Sequence, residues 1–134
     1  MKLFLDANVL FTAAHRPSGK SAFVIEKARE GFWQVVTCQL AIDEARRNLE
    51  AKYPKAVDSF DRLLKDVGLV PTIVGPRCPI DLPKKDIPIF LSAWRSGATH
   101  LLTGDLRDFG RFMNQPKKTR GVLIQTVAAF LEGQ

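Results

Sequence analysis

Asp86-Ile87-Pro88-Ile89-Phe90-Leu91-Ser92-Ala93-Trp94-Arg95-Ser96-Gly97-Ala98-Thr99-His100-Leu101-Leu102-Thr103-Gly104-Asp105 reads as a helix, a stop and a strand in direct succession. Asp86 opens the helix, and Pro88 falls in its first turn, where a missing backbone N–H is tolerated. Gly97 ends it. His100–Thr103 is then a short strand, and Gly104-Asp105 turns the chain out of it. Helix and strand in such close order are the unit from which α/β domains are built.

Working towards the N-terminus, the same alternation recurs. Lys2–Leu5 reads as a short buried strand, and Val9-Leu10-Phe11 carries the apolar character past Asp6. A helix is predicted from about Lys20 to Glu30, with Ser18 as N-cap and Gly31 as stop. Trp33–Thr37 is β-branched and aromatic, hence a strand. The Ala-, Leu-, Glu- and Arg-rich stretch Leu40–Tyr53 is a helix that Pro54 ends. Lys55–Val67 is a further amphipathic helix closed by Gly68, and Leu69–Val74 an edge or irregular strand because it holds Pro71. Gly75–Lys85, with Pro76, Pro79 and Pro83, is a loop.

Towards the C-terminus, Gly104–Lys118 reads as a polar and aromatic loop with one helical turn. Val122–Gln125 is a last strand. Thr126 caps a final helix with Val127, Phe130 and Leu131 facing in. This order predicts an α/β three-layer sandwich with a mainly parallel central sheet, in a single domain over residues 1–134.

The bulk numbers fit that expectation. The chain has 134 residues, 46% apolar and 25% charged, an ordinary globular composition. No stretch approaches the ~18 apolar residues of a membrane span. The N-terminal apolar run breaks at Asp6, so no signal peptide is expected and the protein is expected to be cytoplasmic. Cys38 and Cys78 stand alone, outside any metal-ligand spacing, and read as free thiols of a reducing compartment. His15 and His100 are too few and too scattered for a histidine metal site. The net charge of +6 favours acidic partners such as nucleic acid.

In a parallel α/β sheet, ligands bind at the C-terminal ends of the strands. Four acids are expected at that edge. Asp6 ends the first strand, Asp105 lies just past the strand His100–Thr103, Asp86 opens the helix before that strand, and Glu44 sits near the start of the helix after the second strand. Ala41, Ala45 and Leu49 mark the buried stripe of that helix. At ~100° per residue, Glu44 borders the stripe while Asp43 points away into solvent. Taken singly, Asp86 reads equally as a helix cap, Asp105 as a turn residue, Asp6 as a strand end and Glu44 as a surface group. Together at one edge they repel one another, and a hard divalent cation with oxygen ligands relieves that repulsion. Such an ion also activates water and stabilises charge on a phosphate.

The same residues carry a resemblance. Leu5-Asp6-Ala7-Asn8-Val9-Leu10 is similar to the opening block of PIN domains. Asp43-Glu44-Ala45-Arg46-Arg47-Asn48-Leu49 resembles their second block. Asp86-Ile87-Pro88 through Gly97–Asp105 and on to Leu106-Arg107-Asp108-Phe109 resembles the third. The resemblance spans essentially the whole chain and departs from a frequent pattern at Cys38-Gln39, where a serine often precedes the helix. It implies a Mg2+- or Mn2+-dependent endoribonuclease with Asp6, Glu44, Asp86 and Asp105 as its acidic set. Asp6, Asp86 and Asp105 would bind the metal. Asn8 and Thr103 would support the pocket by hydrogen bonding, with Asp108 a further acidic member. It also implies the toxin of a VapBC-type toxin–antitoxin pair, with an RNA substrate, a cognate antitoxin protein and a homodimer. Two other readings start from the same residues. One is a catalytically silent nucleic-acid- or partner-binding module. The other is a phospho-receiver domain, which needs a lysine after a late strand where this chain has Gly104-Asp105.

Overall fold

The computed structural model describes residues 1–75 and 77–134; Pro76, which the sequence assigns to a loop, lies outside the described residues. Five strands, β1 (Lys2–Leu5), β2 (Gln34–Cys38), β3 (Gly68–Val70), β4 (His100–Leu102) and β5 (Leu123–Gln125), form one sheet. Its order is β3-β2-β1-β4-β5, and every pairing is parallel. The helices are α1 (Ala7–His15), α2 (Lys20–Arg29), α3 (Gln39–Lys52), α4 (Val57–Leu63), α5 (Ile87–Arg95), α6 (Leu106–Phe109) and α7 (Val127–Glu132). This is the predicted PIN-like α/β sandwich, with a sheet that is wholly rather than mainly parallel.

The strand order decides where a site can form. From β1 the chain steps through β2 to β3 on one side, then returns to β4 and β5 on the other. Right-handed crossovers put the connections of the two halves on opposite faces. The chain's connections therefore diverge between β1 and β4, leaving a crevice at the carboxyl ends of that pair. β1 is the central strand. Leu3, Phe4 and Leu5 are wholly buried, as a strand covered on both faces requires.

The helices arise from local chemistry, with several corrections. The apolar run past Asp6, to which the sequence assigns no element of its own, is helical: Val9-Leu10-Phe11 lies inside α1, which buries Val9, Leu10, Ala13 and Ala14. The cap of α2 is Gly19 rather than Ser18, and no side chain bonds its N-terminus. Gly31 stops that helix at φ +92°, a conformation that favours glycine. The predicted helix Lys55–Val67 is broken into a 3-10 turn Pro54–Ala56, α4, and a second 3-10 turn Leu64–Asp66. The predicted strand Leu69–Val74 ends at Val70, before Pro71, which has no N–H for the ladder. Beyond it, the Ile73 backbone N–H donates to the buried Ser92 hydroxyl (2.8 Å), which fixes the connection to α5.

Aromatic packing closes the outer layers. Trp33 donates its indole N–H to the Val24 carbonyl (2.9 Å) and meets Phe130 edge-on. Trp94 stacks on Phe90. Thr126 caps α7 as expected, accepting from the Ala129 N–H; Phe130 is fully buried, while Val127 and Leu131 are half-buried. Because Phe4 is fully enclosed on the central strand, Phe4→Ala is expected to cost about 3–5 kcal/mol, read from the shift in a urea unfolding midpoint.

A carboxylate pocket between the first and fourth strands

A crevice of about 230 Å³ opens at the carboxyl ends of the strands, lined among others by Asp6, Asn8, Glu44, Lys85, Asp86 and Asp105. All four acids expected at this edge therefore line one hollow. Each arrives there on a different element. Asp6 comes directly after β1, and its backbone N–H donates to the Leu102 carbonyl, extending the β1–β4 pairing by one residue. Glu44 lies one turn into α3. Asp86 precedes α5, and Asp105 precedes α6.

The floor of the pocket is a closed hydrogen-bond network. The Thr103 hydroxyl, fully buried, donates to Asp6 Oδ2 (2.8 Å). It accepts from Asn8 Nδ2 (3.2 Å) and from the Asp105 N–H (3.1 Å). That uses its one proton and both lone pairs. Asn8 Nδ2 also donates to Asp6 Oδ2 (3.3 Å), and Asn8 Oδ1 accepts from the Gly104 N–H (2.7 Å). A Cβ at Gly104 would lie 3.3 Å from that same Oδ1, so glycine here permits the close approach. Asp6 Oδ1 accepts from the Ala7 N–H (2.7 Å).

Asp86, Asp105 and Asp108 bring carboxylate oxygens within 4.8 Å of one another. The sequence places Asp108 in the acidic set through the resemblance alone; the helical turn α6 carries it back over Asp105, whose Oδ1 accepts from the Asp108 N–H (3.1 Å). Its side chain is only 12% exposed and pairs with the Lys85 ammonium at 3.2 Å. Asp6 and Glu44 line the pocket but stand outside this tight trio. Glu44 is exposed, as is Asp43, which accepts from the Gln39 amide instead.

Asp86 does not cap α5. No side-chain bond reaches the helix N-terminus, and buried Oδ2 has no hydrogen-bond partner in the protein. An unpartnered buried carboxylate oxygen is costly. Asp86 stands at the N-cap position without a side-chain capping bond, and a carboxylate sharing a small volume with those of Asp105 and Asp108 suits a hard cation.

The charges are perturbed accordingly. Burial, and then the neighbouring Asp108, push the Asp86 carboxyl up from 3.8 to about 7. Asp108 is held below its ordinary value by its contact with Asp86 and by Lys85. Burial raises Asp6 as well, opposed by the bonds from Thr103 and Ala7 and reinforced by Glu44 and Asp105.

The metal-free protein should show two effects. Asp86 has a higher pKa folded than unfolded, so its contribution to stability is present below about pH 4 and is lost as the pH rises through about 7. The unfolding free energy of Asp86→Asn minus that of wild type is expected to grow over this window, as measured by urea titrations at successive pH values. Thr103→Val leaves Asp6, Asn8 and the Asp105 N–H short of a partner each and should cost about 1–3 kcal/mol. Thr103→Ser keeps the hydroxyl and should lose much less in the same assay.

No protein-family model matches the chain, and no curated protein does. Solved structures do. One is the crystal structure of VapBC2 from Rickettsia felis bound to a DNA fragment from their promoter. The matched chain has a TM-score of 0.66 and 13% identity, over 94% of this chain and 98% of that one. Another is VapBC-1 from nontypeable Haemophilus influenzae, with a TM-score of 0.58 and 13% identity, over 96% and 99%. At that identity the likeness is one of fold, and it extends over nearly the full length of both chains.

Proposed function

We propose that the protein is a divalent-metal-dependent endoribonuclease, the toxin of a toxin–antitoxin pair. The observation that carries this reading is the buried, unpartnered Asp86 Oδ2 within a trio of carboxylates at the sheet's carboxyl edge. Oxygen donors in this number and spacing fit Mg2+ or Mn2+. Asp86, Asp105 and Asp108 would hold the ion, with Asp6 orienting its hydration shell from the pocket wall. Relative to the expected set of Asp6, Asp86 and Asp105, Asp108 stands in place of Asp6 as a direct ligand. A bound ion would supply charge stabilisation at the scissile phosphate and a more acidic water.

The chain's own residues do the rest. Thr103 and Asn8 lock the Asp6 carboxylate in one orientation. Glu44, exposed and lining the same pocket, would accept a proton from an attacking water. Lys85, 71% exposed, presents an ammonium beside Asp108 and lines the pocket, where it would meet a substrate phosphate. Among the described residues no serine or cysteine lines the pocket, so direct attack by water, without a covalent enzyme intermediate, is the chemistry proposed.

The two solved structures are VapBC assemblies, which supports a cognate antitoxin as partner here; the homodimer is proposed from the sequence resemblance alone. Among the described residues no helix is long and apolar enough to cross a membrane, and both cysteines are free thiols. A reducing, cytoplasmic setting is part of the proposal.

Incubating a mixed RNA pool with the protein tests the reading. Cleavage is expected with Mn2+ or Mg2+ and none with EDTA. Asp6→Asn and Asp105→Asn should lower the rate by about 100-fold or more, the scale of losing a group that stabilises a transition state. Mn2+ should also raise the melting temperature, and more at pH 8 than at pH 5, because the ion displaces protons from the acids. No metal-dependent cleavage by wild type would leave a silent binding module on the same fold.

A further inference from the structure

The two helices that begin at the acid pocket end at a second hollow. Asn8 and Glu44 line the first; His15 and Lys52, at the other ends of α1 and α3, line a hollow of about 600 Å³. From Glu44 to Lys52 the helix rises about 12 Å, so the two hollows lie within reach of one short polymer.

The second hollow combines an aromatic platform with unpaired cations. The His15 and Tyr53 rings stack at 4.4 Å with an 8° tilt, and Phe11 packs against both. Tyr53 remains 46% exposed. Its backbone is fixed on both sides: the N–H donates to the Leu49 carbonyl (2.7 Å), and its own carbonyl accepts from the Ala56 N–H (2.8 Å). A ring held this way loses little freedom on binding. Burial, and then Arg16, lower the His15 pKa, so at neutral pH the platform is an uncharged π surface.

Lys52, Lys55 and Arg62 line the hollow, and no carboxylate does. Among the described residues none of these three forms an ion pair, whereas Lys27, Arg29, Arg46, Lys85 and Arg111 all do. The adjoining hollow between α2 and α4 is different in kind, since Glu26 and Asp66 line it and would repel an anion.

We propose that this hollow is a subsite for single-stranded RNA, in which a nucleobase stacks on the Tyr53–His15 platform and the flanking phosphates meet Lys52, Lys55 and Arg62. Stacking on an aromatic ring beside cations that track the backbone is how single strands are held without sequence readout. An acidic peptide would engage the cations but leave the exposed Tyr53 ring, stacked on His15, without a role. The subsite deepens the nuclease reading and rests on it for the identity of the polymer. It gives the enzyme a hold on the strand away from the acids, where a phosphate backbone would otherwise meet net negative charge.

Binding measured in EDTA separates this proposal from cleavage. The readout is fluorescence anisotropy of a labelled single-stranded RNA of roughly 12 nucleotides with the full-length protein. Tyr53→Ala is expected to weaken binding roughly 5- to 100-fold, and Tyr53→Phe to stay close to wild type. Lys55→Gln with Arg62→Gln, both at exposed positions, should lower the slope of log K against log salt by about 1.4. Unchanged affinity and slope in these variants would overturn the subsite, even if the enzyme cleaves RNA. So would a decaglutamate peptide whose binding the Lys55→Gln, Arg62→Gln variant loses while RNA binding persists. RNA binding that depends on Tyr53, in a protein that never cleaves with Mn2+, would uphold the subsite and sink the nuclease reading.

Discussion

The Thr103 hydroxyl is the point at which fold and site become one object. It sits at the end of β4, beside the end of β1, and every hydrogen-bonding position on it is used. Through Asp6 it fixes the direction in which the chain leaves the central strand. Through Asn8 it fixes the first turn of α1, and through the Asp105 N–H the start of α6. A serine could make the same bonds, but the methyl of threonine limits the rotation of χ1 and fills space in a position with no solvent exposure. The network spans residues ninety-odd positions apart in sequence, so it forms only after β1 and β4 have paired. The pocket's geometry is thus a consequence of the completed sheet, and not of any one loop.

The constraint that shapes the rest is electrostatic. Three aspartates share a small volume, and Asp6 and Glu44 add to the field. Without a cation they can coexist only by holding a proton or by recruiting a base. Both occur: Asp86 is driven towards neutrality, and Lys85 reaches across to Asp108. Neither solution is a good one for stability. The protonated state is lost near neutral pH, and the lysine is mostly solvated, where an ion pair contributes little. A site that leaves its own charges poorly compensated has room for a ligand to do better, since binding to the folded state alone stabilises it.

The sequence was legible where local chemistry and tertiary context agree. The stretch from Asp86 to Asp105 has a proline in the first turn of its helix, a glycine after it and an apolar strand, and each lies where it should. The fold class comes from that alternation, and so does the edge at which the acids gather. The failures have physical causes. Val9-Leu10-Phe11 is apolar with no period long enough to separate strand from helix, and only the turn at Asp6, bonded to Ala7, tips it into α1. The break in Lys55–Val67 leaves no strong local signal, since no proline or glycine stands within it. The Cys38 cap of α3 has no side-chain bond; the Leu40 N–H turns instead to the Thr72 hydroxyl at 3.4 Å, a partner that sequence alone cannot supply. Asp108 enters the acidic set through the resemblance alone, because nothing local in the sequence shows that α6 winds back on Asp105. The aromatic hollow at Tyr53 had no motif at all, because Phe11, His15 and Tyr53 come from two segments that meet only in the packed layer.

Charge is distributed unevenly along α1 and α3. Both helices start at the acids, and their far ends border the basic hollow, with Lys52 in the last turn of α3 and the half-buried His15 ring in that of α1. Cations near helix C-termini are favoured by the helix dipole, so helix stability alone accounts for Lys52. It accounts equally for Arg62, in the last turn of α4, but not for the gathering of Lys52, Lys55 and Arg62 on one hollow with no acid among them. The chain carries a net charge of +6, and part of that excess of base borders the exposed Tyr53 ring and the half-buried His15 at the far ends of the same helices. For a polyanion held at the basic end, the length of the two helices sets how far its backbone must run to reach the carboxylates.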